Sequence, residues 1–173
     1  MYKLLEKDRF DEMYKIMEQS FPPDERRTCE GQKAILDEDN YRVYIYEKDE
    51  KIVAFFTVWF LEGFVFAEHF AVDENYRGEG IGTGLIKSVL ASVDVPVVLE
   101  IELESSSQTA KRRGDYYRRL GFNVSLYEYQ QPSYGEGKEA IPMHLVSYPD
   151  ALCEDEFLKY KKIIYKEIYK LEL

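Results

Sequence analysis

Basic charge is scarce in this sequence. The 173 residues carry 33 acidic side chains against 23 basic ones, a formal net charge of −10, with a pI of about 4.8. Binding to phosphate backbones needs clustered Lys and Arg, so nucleic acid and anionic membrane are excluded as main partners. An acidic protein attracts cations, which favours an amine-bearing substrate. Cysteine is scarce too: Cys29 and Cys153 stand far apart without a CxxC or Cys/His spacing, which fits a reducing compartment and excludes a structural zinc. With only His69 and His144 there is no HExxH pattern, and no metal is expected. Long apolar runs are missing. The most apolar stretch, 52–61, is about half of the ~20 residues a bilayer span requires, and it reads as a buried strand. The first seven residues turn charged before any apolar segment, so no signal peptide is expected and the protein is placed in the cytoplasm. There is no internal repeat, and the length suits one domain over 1–173.

Aromatics, by contrast, are abundant, with fifteen tyrosines and ten phenylalanines. They promise a filled core and an aromatic-lined pocket. Phe10, Met13, Tyr14 and Met17 repeat at helical spacing over 8–20, and Phe21-Pro22-Pro23-Asp24 stops that helix. Asp24 is placed to cap a second helix running to about Glu38. Alternation marks strands at 41–46, 52–61 and 64–72, the last two joined by Glu62-Gly63. A helix follows a glycine-rich turn, then a strand over 95–103 entered through Pro96, then a helix over 109–120 closed by Gly121. Strands at 122–129 and 141–146 and a long helix from about 152 to 171 complete the chain. The expected fold is α/β of the α+β type. It has a mixed, mostly antiparallel twisted sheet of six to seven strands, helices on both faces and an extra C-terminal helix. Phe157, Tyr160, Ile164, Ile168 and Leu171 form a near-heptad stripe on that last helix. Docking on its own domain is the default for such a stripe, and a homodimer contact is the alternative.

The strongest chemical signal is Arg77-Gly78-Glu79-Gly80-Ile81-Gly82-Thr83-Gly84, placed between a strand and a helix. Such a turn presents backbone N–H groups at the positive end of the helix dipole, where a pyrophosphate can approach. A P-loop requires Gly before Lys-Ser, but Lys87-Ser88 follows Ile86. A dinucleotide fingerprint fails as well, because its third glycine falls one place early. What fits is Arg-x-x-Gly-x-Gly, formed by Arg77, Gly80 and Gly82. With Ala71-Val72 before it and Tyr116-Tyr117-Arg118-Arg119-Leu120-Gly121-Phe122 after it, the pattern resembles the GNAT superfamily of N-acetyltransferases over roughly residues 40–148.

That resemblance implies acetyl transfer from acetyl-CoA, as acyl-donor co-substrate, directly to a primary amine of a small molecule or peptide. The alternative is an inactive acyl-CoA-binding module of the same fold that senses or scaffolds. By resemblance the pyrophosphate lies on N–H groups from Arg77 through Thr83, with Gly78, Gly80, Ile81 and Gly82 between. The pantetheine arm pairs with the backbone around Phe70, Ala71 and Val72, beside splayed strands. Tyr117 is implied as the donor to the leaving thiolate. The general base is implied on a strand, with Glu68 ranked first and Glu100 second. A structural reading leaves these glutamates, with Glu102, solvated or paired to Arg112 and Arg113. Many relatives hold the CoA arm with an Asn seven residues before the tyrosine, where this chain has Ala110. The substrate-choosing segments would be 21–27 and the Tyr127–Tyr134 loop, whose aromatics and acceptors suit a cation.

Overall fold

Alternating burial along Tyr41–Lys48 (β2) and an almost unbroken buried run along Lys51–Leu61 (β3) make an antiparallel hairpin, with Tyr44 opposite Phe56 and a bulge at Tyr46/Glu47. The structure, a computed structural model describing residues 2–172, divides into two compact units. One contains Met1–Phe60 and Ala67–Asp94, and the other contains Leu61–Phe66 and Val95–Leu173. The fold is mixed α/β with eight mostly antiparallel strands and five α-helices among the described residues.

In the first unit the strand order is β1 (Tyr2–Leu4), β2, β3 and the part of β4 (Phe64–Val72) from Ala67 onward. β1 was not expected. Three residues are too few to show alternation, and Tyr2 pairs with Tyr46 in register. Helix α1 (Phe10–Ser20) buries Phe10, Met13, Tyr14, Ile16 and Met17. The expected second helix is corrected: Pro23–Glu25 is a 3-10 turn, Arg26 is extended, and α2 is only Cys29–Ala34. Its cap is Thr28, whose hydroxyl accepts from the Gly31 N–H at 3.1 Å, not Asp24. Helix α3 (Ile81–Leu90) packs on β2 and buries Ile81, Leu85, Ile86 and Val89.

In the second unit β8 (Ile141–Tyr148) pairs antiparallel with β5 (Val97–Glu102), β6 (Asn123–Val124) and β7 (Tyr129–Gln131). The single strand expected over 122–129 is thus two short ones. The Ser125 hydroxyl accepts from the Tyr127 N–H at 3.3 Å, and this local turn lifts Leu126 out to 89% exposure. Helix α4 (Gln108–Arg119) starts at Ser107, which caps Ala110 N–H at 3.0 Å, and ends before Gly121 at φ +93°. Helix α5 (Glu154–Glu167) is shorter than the expected 152–171. Cys153 caps it reciprocally with Glu156, whose carboxylate accepts from the Cys153 N–H at 2.9 Å. It docks on its own unit: Tyr160 stacks on Phe64 with centroids 4.1 Å apart, and Phe157 meets Tyr127 and Tyr129.

The β2–β3 turn carries Asp49 at φ +51° and Glu50 at φ +64°, a two-residue loop in the left-handed region. Such loops favour Asp-Gly, and a side chain held there costs about 1–2 kcal/mol. Glu50→Gly is therefore expected to stabilise the protein by about 1 kcal/mol, read from urea unfolding. A loss of stability would contradict this.

Candidate active site

β4 ends at Val72, and the chain turns immediately. Asp73 accepts from the Asn75 N–H at 2.9 Å, closing a 3-10 turn over Glu74–Tyr76. Arg77 Nε then donates back to the Val72 carbonyl at 3.1 Å. The arginine therefore ties the turn to the strand end as well as placing a cation there. Gly78 and Gly80 have φ of +84° and +77°, and a side chain at either would project into open space. Their role is conformational. Gly82 is different, because a Cβ would lie 2.8 Å from the Phe70 ring and 3.0 Å from a Val72 methyl. Glycine there lets α3 close onto β4. Gly80 is the N-cap of α3 and brings no capping side chain, unlike Ser107 on α4. The first turn, with Ile81, Gly82 and Thr83, thus has the N–H geometry an anion accepts. Ala71 is buried, while Phe70 and Val72 are half-buried.

Tyr117 lies on α4, buried, edge-on to Phe122 and Tyr116 with centroids 5.4 Å from each. Burial pushes its phenol well above the ordinary value, against a smaller downward pull from Arg113. It stays protonated and able to donate. Tyr116 beside it is half-buried.

The two candidate bases sit in opposite surroundings. The Glu68 side chain is fully enclosed: Oε1 accepts from Arg27 Nη1 at 2.7 Å and Oε2 from Trp59 Nε1 at 2.8 Å. His69 next to it donates from Nε2 to the Glu25 carbonyl at 2.8 Å, and burial pushes its imidazole below the ordinary value. Glu100 on β5 accepts hydrogen bonds from two phenols, a short one from Tyr129 and one from Tyr169 at 2.8 Å. Tyr134 Oη lies 3.4 Å from Tyr169 Oη. Glu102 pairs with Arg113 at 2.7 Å, as a structural role suggests. Arg27, Trp59, Tyr129 and Tyr169 were missed as partners of these carboxylates. Arg27 and Tyr129 fall in segments marked for substrate choice. Trp59 and Tyr169 look like core positions and give no signal.

A family model described as an acetyltransferase (GNAT) domain matches residues 39–124. Over 159 residues the chain is 28% identical to a Bacillus subtilis (strain 168) protein assigned as an acetyltransferase, YjbC, covering 90% of this chain and 80% of that one. A Bacteroides thetaiotaomicron structure assigned to the GNAT family matches at TM-score 0.91 and 27% identity over 99% of both chains. The chain belongs to the GNAT superfamily. An aminoglycoside 6'-N-acetyltransferase solved with coenzyme A shares the GNAT fold at TM-score 0.67 and 9% identity, covering 89% of this chain and 99% of that one. No helix among the described residues of this GNAT chain is long and apolar enough to cross a membrane. No group of three or more potential metal ligands occurs among them either.

Proposed function

We propose that the protein transfers an acetyl group from acetyl-CoA to a primary amine of a small molecule or peptide. The observation that carries this reading is the turn from Arg77 to Gly84. Two left-handed glycines open an uncapped helix end, and Gly82 brings that helix against the strand end. These residues fit a pyrophosphate-bearing thioester, which when bound supplies the activated acetyl group. Backbone N–H groups of Ile81, Gly82 and Thr83 would hold the pyrophosphate, with Arg77 adding charge at its edge.

Glu100 suits the role of general base better than Glu68. Arginine and indole are donor-only partners, so the proton-accepting oxygens of Glu68 are held by groups that take no proton in return. The phenols on Glu100 both donate and accept. Glu100 therefore takes the ammonium proton, and Tyr117 donates a hydrogen bond to the departing sulfur. Glu68 then fixes the segment around Arg27. The phenols of the Tyr127–Tyr134 segment, exposed at Tyr127, buried at Tyr129 and half-buried at Tyr134, suit a cationic acceptor.

Calorimetric titration tests the first step. Acetyl-CoA is expected to bind, with ATP and NAD as non-binding controls, and Gly80→Asp should weaken binding at least tenfold through its charge and its left-handed backbone. Mass-spectrometric detection of acetylated amine then separates a catalyst from a silent acyl-CoA-binding module. Selective binding of ATP or NAD would overturn the reading.

A further inference from the structure

We propose that Tyr169, just beyond α5, is a positioning residue for the reaction: it holds the Glu100 carboxylate in its ionised, proton-accepting form and carries the accepted proton on toward Tyr134. The inference rests on the acetyl-transfer reading with Glu100 as base. Two structural facts lead to it. First, the C-terminal segment reaches Glu100 through a deliberate turn. After α5 the chain passes through Lys170 at φ +56°, where a side chain is disfavoured, and the Leu171 N–H donates to the Tyr165 carbonyl at 3.0 Å. That closure leaves Tyr169 buried with its hydroxyl 2.8 Å from Glu100 Oε2. Second, the hydroxyls touch in succession. Tyr169 Oη lies between Glu100 Oε2 and the half-buried Tyr134 Oη, at 2.8 and 3.4 Å.

The surrounding groups agree. Tyr129 from β7 donates to the other Glu100 oxygen, and burial followed by the Glu100 charge pushes that phenol well above its ordinary value. Tyr165 from α5 is raised too, by burial first, against a downward pull from its hydrogen bond to the Gln130 carbonyl, with a smaller push from the Glu100 charge. On β5 itself the nearest charge on the same side is Glu102, which α4 neutralises through Arg113. Tyr129 thus keeps its proton and donates, and hydrogen bonds of this kind to a carboxylate favour its charged form. After Glu100 takes a proton from the acceptor ammonium, its new O–H bond breaks as the proton passes to Tyr169 Oη. The Tyr169 hydrogen moves to Tyr134 Oη, and the Tyr134 hydrogen moves to water. Each oxygen gains one proton and loses one, so the relay balances.

The test needs no known acceptor at its first stage. Carboxyl 13C NMR titration of the full chain, with Glu100 assigned by the resonance lost in Glu100→Gln, gives its midpoint in wild type and in Tyr169→Phe. Losing one phenol donor should raise the midpoint by about one pH unit. The acidic limb of kcat should move upward with it, and kcat at neutral pH should fall about tenfold while the KM for acetyl-CoA holds. Tyr134→Phe, which leaves the donor on Glu100 in place, should lower kcat without moving the midpoint. An unshifted midpoint in Tyr169→Phe overturns the proposal. If Glu100→Gln is then inactive, the base assignment survives that failure, and if Glu100→Gln turns over normally, the base assignment falls as well.

Discussion

Arg27→Met is expected to cost about 3–5 kcal/mol of folding stability, because it strands the Glu68 carboxylate without its counter-charge. The Glu68 side chain is wholly enclosed and Arg27 is 11% exposed, so water cannot replace the guanidinium. The Trp59 indole remains as a neutral donor. Arg27→Met with Glu68→Gln should recover a good part of the loss, since an amide needs no neutralisation. Urea unfolding of the two single variants and the double variant measures the coupling between them. The pH dependence has a definite sign. Without Arg27, burial raises the folded-state pKa of Glu68 above its unfolded value, so the native state binds the extra proton. The penalty is then small below the unfolded pKa and grows as pH rises through the folded one. Arg27→Met should therefore approach wild-type stability on acidification. A loss below about 1 kcal/mol, independent of pH, would show that the pair does not hold this region.

Tyr117→Phe is expected to lower kcat about a hundredfold while leaving acetyl-CoA affinity intact. The raised phenol decides how the residue acts. A thiolate of ordinary basicity, with a pKa of about 8.5, is a weaker base than the Tyr117 phenolate. Complete proton transfer to it from Tyr117 is uphill, and the available contribution is a hydrogen bond that strengthens as charge grows on sulfur. The same shift keeps Tyr117 from limiting the alkaline side of the rate profile, so no basic limb below about pH 10 should disappear in Tyr117→Phe. Folding should change little, because the ring contacts with Phe122 and Tyr116 survive the substitution. A variant with unchanged kcat would remove Tyr117 from the reaction.

Much of the fold could be read in advance because its periods are long and clean. The run Lys51–Leu61, the return through Gly63 and the apolar face of α3 each extend over enough residues to show their pattern. Short elements were not legible. β1 and β6 span three and two residues, and their pairing is settled by partners distant in sequence. α2 was misread because Asp24 and Thr28 are both good caps, and only the extended backbone at Arg26 decides between them. The glycine turn and Tyr117 stood out because their motifs are local. The surroundings of Glu68 and Glu100 were not legible, because they depend on what faces each carboxylate. Arg27 is forty-one residues from Glu68 and Tyr169 sixty-nine from Glu100, separations across which no periodicity reports.

The cap on α5 has a bearing on how this protein tolerates oxidants. Cys153 is exposed, and its sulfur accepts from the Glu156 N–H while Glu156 closes the loop in return. A group added to that thiol would sit against the first turn of the helix that leads to Tyr169. Serine at this position would keep the acceptor and offer nothing to oxidise. The helix that leads to the tyrosine on Glu100 is therefore fastened at its far end by one of the chain's two thiols, so a change at one exposed sulfur bears on a segment that reaches the interior of the second unit.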